Sequence, residues 1–284
     1  MSQFVHIIMT RFNVPTRGWN ETRSGYKPLT EEWLNDRFRL FRTYVLPSYK
    51  NQTNQNYVWL CFFDINTSEK FRKIIREIEE EYPVFRSVFV EDFDQMKTRV
   101  VEIIPQFFTS ETKFVITSEL DNDDMLHQDY IKTVQEHFKP VHDLVIDLRR
   151  GYQLTMFPRR KAIVTVYNAV VNPFVSLVEN VDNFKTMLKE RAHNSYRHYP
   201  DFSVEDSKEM YIQIIHQYNL MNVTFKHKAV HKVDFSEYGM TSETRFSIDR
   251  LNTWRHNITR IPFVMKLIIK KYLKIKILSN YETQ

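Results

Sequence analysis

A chain of 284 residues with 42% hydrophobic and 14% aromatic content, including 22 Phe and 15 Tyr, has ample apolar surface for a packed core and is not a mainly disordered protein. Four glycines and one cysteine exclude Gly-rich phosphate loops, a disulfide framework and a Cys-based zinc site. The net charge of +5 belongs to one end: from Phe246 onward, eight Lys and Arg face only Asp249 and Glu282, which leaves the body near neutral.

Residues 3–9 are an apolar run that reads as a buried first strand, opening through Thr10-Arg11-Phe12-Asn13 into a loop. That loop, over 13–28, carries Pro15, Gly18, Gly25 and Pro28, and loops of such length are often functional. Trp33, Leu34, Phe38, Phe41, Tyr44 and Val45 recur at helical spacing, predicting a helix from Thr30 that stops at Pro47. A second strand over 57–63 ends at Asp64, and Cys61 inside it reads as a small buried hydrophobe. A helix over 67–81, a strand over 87–90, a helix over 99–108, a strand over 114–117 and a helix over 128–138 follow.

This alternation predicts a parallel α/β sheet across 1–140, which binds ligands at the carboxyl ends of its strands. Beyond it, 144–149, 152–157 and 162–166 read as antiparallel strands around Gly151 and a Pro158-Arg159-Arg160 turn, with Arg159-Arg160-Lys161 capping a hairpin. Helical segments are expected after Pro173. The tail mixes Trp254, Ile258, Ile261, Phe263 and further aliphatic residues with five Lys, the pattern of a basic amphipathic helix broken or begun at Pro262. Such a helix suits peripheral contact with an anionic membrane surface, packing on the main domain or pairing in a homo-oligomer. The first residues lack a basic segment followed by a long apolar one, and no apolar run approaches the ~20 residues that span a bilayer. The expected location is therefore cytoplasmic, or peripheral at the inner face of the membrane.

The acidic run Leu120-Asp121-Asn122-Asp123-Asp124 directly follows an apolar strand. Carboxylates two residues apart, separated by a small polar residue, can hold Mn2+ or Mg2+ while a diphosphate completes the shell. Such an ion offsets charge as a nucleotide leaves. Asp124 reads as the N-cap of the next helix. Asp64 supports two readings, a turn or cap acceptor and an acceptor for a uracil or thymine imide. His227 and His231, four residues apart, lack a companion carboxylate motif.

Thr10-Arg11-Phe12-Asn13, Leu46-Pro47-Ser48, Gln52-Thr53-Asn54-Gln55-Asn56-Tyr57, the strand ending at Asp64 and the acidic run together resemble the putative rhamnosyltransferase family, and more distantly the family 2 glycosyltransferases. Asn172-Pro173-Phe174-Val175-Ser176-Leu177-Val178-Glu179 and Tyr211-Ile212-Gln213-Ile214-Ile215-His216 extend the resemblance to about residue 222. Glu119 and Gln217-Tyr218 depart from the family pattern, which has a basic residue and Gly-Gly there. The resemblance implies a GT-A-like α/β fold, a mostly parallel sheet flanked by helices with a helical basic C-terminal extension. It implies a transferase domain over 1–245, split into a nucleotide-sugar half (1–140) and an acceptor half (141–245), ahead of a 246–284 tail.

By the same resemblance, a UDP- or dTDP-sugar donates to a glycan or lipid-linked acceptor, with inversion, in surface polysaccharide or capsule synthesis. Thr10, Arg11, Asn13, Asp64, Asp121 and Asn122 would line the nucleotide site, and Asp121 and Asp123 would hold the metal with His216 or His193. Glu179 would be the general base that deprotonates the acceptor hydroxyl, with Asp182 its rival. Two other classes are weighed: a metal-dependent phosphoryl-transfer enzyme, which needs acids at several strand ends, and a nucleic-acid-binding protein, disfavoured because basic charge is confined to the tail.

Overall fold

The computed structural model of the chain describes residues 3–16, 27–190, 193–216, 219 and 227–281. The first half contains β1 (Phe4–Arg11), α1 (Glu31–Leu40), α2 (Leu46–Lys50), β2 (Val58–Asp64), α3 (Glu69–Glu81), β3 (Phe85–Val90), α4 (Phe93–Ile103), β4 (Phe114–Glu119), β5 (Met125–Leu126) and α5 (Tyr130–Glu136). The second half contains β6 (Leu144–Leu148), β7 (Arg150–Phe157), β8 (Lys161–Asn168), β9 (Ser176–Asn180), β10 (Phe202–Glu205), β11 (Tyr211–Ile215), β12 (Ala229–Val230), β13 (Ser247–Ile248) and α6 (Arg250–Tyr281).

A seven-stranded sheet runs β10-β6-β9-β4-β1-β2-β3. β1 to β4 are parallel, as are β6 and β10, whereas β9 runs against both neighbours. Helices cover both faces. Ile8, Trp59, Cys61 and Phe63 pack toward α1, α3 and α5, while Ile7, Met9, Leu60 and Phe62 pack toward α4. Burial on both sides explains why these strands are continuous apolar runs instead of alternating ones. The mostly parallel, helix-flanked sheet expected of a GT-A-like fold is what the chain builds. A second sheet, β12-β8-β7-β11-β5 with β13 beside β8, lies across the carboxyl end of β4, from which β5 continues.

Four expectations need correction. The helix predicted to stop at Pro47 continues to Lys50, because Phe41–Val45 widens into a π-turn with the Leu46 amide donating to the Phe41 carbonyl. That widening accommodates a ring that would clash with the carbonyl four residues back in a regular helix. The segment after Pro173 is not helical at first but supplies β9 to the middle of the main sheet. Ser176 to Glu179 are buried on both faces, so no alternation marks them as a strand. β6 does not pair with the β7–β8 hairpin, because the chain changes sheets at Arg149. Gly151 makes the change possible: a Cβ there would fall on the Tyr211 ring. Finally, Pro262 neither begins nor breaks α6. The donor it lacks would have met the carbonyl of Ile258, and both residues are exposed, so water can serve that carbonyl. The expected hairpin turn is present, with Arg159 and Arg160 at φ 61 and 53.

Candidate active site

The acidic run begins where β4 ends, and β1 ends beside it. Asn122 fastens the two: its Nδ2 donates to the Phe12 carbonyl at 2.6 Å, and its Oδ1 accepts from Arg37 Nη1 at 2.9 Å. Asp123 is buried and receives Arg37 from α1, His216 Nε2 at 2.9 Å and Asn219 Nδ2 at 3.0 Å. Asp124 accepts the Ile214 amide of β11 at 2.8 Å. Asp124 does not cap a helix, which corrects the cap reading, since β5 follows it and α5 starts only at Tyr130. Carboxylate oxygens of Asp121, Asp123 and Asp124 all lie within 4.8 Å of one another.

Three acids this close must repel unless something positive intervenes. Burial raises the Asp123 carboxyl, but Arg37 and the His216 contact outweigh it and hold the group well below the ordinary range. Asp124 is raised well above it, by burial first and then by the Asp123 and Asp121 charges. Asp121, though exposed as a residue, is also raised, by desolvation of its carboxyl first and then by the Asp123 charge, which Arg11 and Arg37 only partly offset.

Whether the trio fits a divalent cation can be tested on its own atoms. Asp124 Oδ2 is buried and meets no hydrogen-bond partner among the described residues. An oxygen in that state costs free energy, and hard oxygen donors are what Mg2+ or Mn2+ requires. The residues fit the ion, with Asp124 joining the expected Asp121 and Asp123.

A cavity of about 500 Å³ opens beside the trio. Arg11, Glu119, Asp121 and Asp124 line one side, and Glu190, His193 and Tyr196 line another. Arg11 lies over the Phe93 ring at 5.0 Å. Burial raises the Glu119 carboxyl, against which Arg11 acts, and it lowers the His193 imidazole. The structure thus brings His216 to Asp123 and His193 to the cavity that Asp121 faces.

Other predicted site residues have structural roles. Thr10 is fully buried, and its hydroxyl accepts Trp59 Nε1 at 2.9 Å, so it does not line the pocket. Asn13 ties the strand ends together, donating to Thr67 Oγ1 at 3.0 Å and accepting the Asp64 amide at 3.2 Å. Asp64 Oδ1 accepts the Asn66 amide at 2.8 Å, the turn reading of that residue.

Glu179 is fully buried in β9, opposite Val115 near the far end of β4, and its carboxylate is already engaged. It accepts the Lys185 and Thr186 amides at 3.1 and 2.8 Å and Lys189 Nζ at 3.0 Å. Asp182 is exposed in the turn after β9, at that same far end. The base reading of both is corrected by this placement: neither lines the cavity. Sequence reasoning passed over Arg37, Asn219 and Glu190. No local pattern marks the first two, and Glu190 was detectable only as a carboxylate three residues before His193. Gln217 and Tyr218, and the glycines of the first loop, lie outside the described residues.

Residues 5–228 match the family model described as "Putative rhamnosyl transferase", and the chain belongs to that family. A search of curated proteins finds no match. Among solved structures, S. aureus TarS 1–349 in complex with UDP-GlcNAc shares 13% identity over 78% of this chain and 61% of that one, at a TM-score of 0.43. The same fragment with UDP shares 13% identity over 74% and 60%, at 0.41. A putative nucleotide-diphospho-sugar transferase from Desulfovibrio desulfuricans G20 shares 12% identity over 70% of each chain, at 0.32. The chain spans about 60% of the length of the TarS fragment.

Proposed function

We propose that this member of the putative rhamnosyl transferase family moves a sugar from a nucleoside-diphosphate donor to an acceptor hydroxyl, with inversion, in the cavity at the end of β4. The observation that carries the reading is the trio Asp121, Asp123 and Asp124, whose oxygens converge within 4.8 Å and include a buried one with no partner. Bound there, Mg2+ or Mn2+ would supply charge neutralisation for the departing diphosphate. Asp121, exposed at the cavity edge, orients the donor ribose, and Arg11 offers a second positive group to the phosphates. Asn122 holds the loop after β4 against the end of β1, which fixes where Asp121 points.

Glu190 takes the general-base role that Glu179 and Asp182 cannot reach. It faces the cavity, and the Tyr199 hydroxyl donates to its Oε1 at 3.1 Å. The carboxylate accepts the acceptor proton as the hydroxyl oxygen bonds to the anomeric carbon and the sugar–phosphate bond breaks on the opposite side. His193 lies on the same wall and orients the acceptor. In this reading residues 1–140 form the donor half and 141–245 the acceptor half. The donor is a UDP- or dTDP-sugar, and the acceptor is a glycan or lipid-linked glycan of a surface polysaccharide, assembled in the cytoplasm or at the inner face of the membrane.

The test is calorimetric titration of UDP, dTDP and other nucleoside diphosphates with and without Mn2+, followed by donor turnover. Metal-dependent binding of at least one is the expected result, lost in Asp123→Asn, whose amide oxygen keeps an acceptor for Arg37 and so disturbs the fold less than alanine. Failure of every nucleoside diphosphate to bind would overturn the reading.

A further inference from the structure

Among the described residues, the hydrogen bonds that tie α6 to the body lie near its start. Asn257 bonds the Ala229 amide and carbonyl at 2.9 and 3.0 Å, His256 Nε2 donates to the His227 carbonyl at 2.9 Å, and Thr253 is buried. Beyond that point the described side chains are mostly exposed while the sequence becomes more apolar. Leu251, Trp254, Ile258, Ile261, Met265 and Ile268 step along it by three or four residues, and each is 42–58% exposed. That spacing places them in one ridge. Isolated exposed apolar residues are ordinary, but a continuous exposed ridge along a helix marks a contact surface.

The charge beside the ridge selects its occupant. Between Arg250 and Tyr281 the sequence holds eight Lys and Arg and no acid. Arg245, Arg250 and Lys232, accompanied by Asp234, also line a cavity of about 600 Å³ at the foot of the helix. A second copy docked along the ridge would bring two all-basic helices together, which is repulsive. An anionic bilayer complements both the charge and the apolar ridge. Among the described residues no helix is long and apolar enough to cross a membrane, so contact lies in the plane of the surface.

We infer that the Leu251–Ile268 ridge of α6 docks the protein on an anionic lipid surface, with the apolar side chains in the headgroup region and the Lys and Arg residues against lipid phosphates. The inference is independent of the transfer chemistry.

The test is flotation of the full chain with phosphatidylcholine vesicles, with and without phosphatidylglycerol, alongside the double variant Ile261→Glu/Met265→Glu. Anionic vesicles are expected to bind the protein about tenfold or more tightly than neutral ones, with binding weakened by salt. The double variant should lose that binding while keeping its circular dichroism spectrum and its nucleoside-diphosphate titration. Equal binding to neutral vesicles, no binding of the parent, or undiminished binding of the variant would overturn the inference. So would a concentration-dependent dimer in sedimentation that the variant abolishes without any vesicle binding, which would assign the ridge to a second copy.

Discussion

Arg37 of α1 and Asp123 of the loop after β4 form an ion pair sealed from water, each side chain 6% exposed. The guanidinium also donates to Asn122, so one side chain from the first helix organises two residues of the acidic run. A fixed cation therefore already sits against the carboxylate that a metal ion would share.

Arg37→Met leaves Asp123 buried with less compensation, and losing one partner of a buried pair costs about 3–5 kcal/mol. Because His216 and Asn219 still bond Asp123, the lower end is expected. Mn2+ should then raise the melting temperature of the variant more than that of the parent. Thermal melts with and without the ion check this; equal shifts would mean that Arg37 and the ion do not compete for Asp123.

Asp124 and Asp123 have opposite linkage. The Asp124 pKa is raised on folding, so its contribution is fully present below the ordinary value of 3.8 and is lost as pH rises through the folded value. The Asp123 pKa is depressed, so its contribution is present above 3.8 and lost as pH falls through the folded value. In metal-free protein the Asp124 contribution should therefore fall as pH rises above 3.8, against the upward contribution of buried histidines such as His6, and Asp124→Asn should remove that downward component. A pH series of denaturant midpoints measures it, and an unchanged slope in the variant would rule out Asp124 as the source.

Glu179 and Glu190 should separate cleanly. Glu179→Ala leaves the Lys185 and Thr186 amides without their buried acceptor and Lys189 with Asp143 as its remaining acidic partner, and it should destabilise the fold by about 2–4 kcal/mol while surviving folded protein still binds the donor nucleotide. Glu190→Gln should leave melting temperature and nucleotide binding unchanged but lower kcat by about 10²-fold or more. Full turnover in Glu190→Gln would remove it from the mechanism.

Gly151→Ala should cost about 1–3 kcal/mol, because the new methyl group meets the Tyr211 ring in an already packed core. Tyr211 itself stacks on Phe174, with ring centroids 3.7 Å apart, so it has little room to retreat. A companion Tyr211→Leu change should recover part of the loss in a melting experiment. No recovery would place the strain elsewhere.

The sequence by itself determined the first half of the fold and the location of the acidic site. Strands such as Val58–Asp64 and Phe114–Glu119 are buried on both faces, so local composition announces them, and an acidic run after such a strand must lie at its carboxyl end. Tertiary structure alone decided what each acid does. Asp123 owes its ionisation first to Arg37, eighty-six positions earlier, and then to His216, and Asp124 is held by the Ile214 amide of a strand from the second sheet. Glu179 is the converse case. Its motif suggested catalysis, but antiparallel insertion of β9 put it opposite Val115, where Lys189 and two amides satisfy it. Burial and charge pairing depend on which distant segments meet, and helical or strand periodicity carries no record of that.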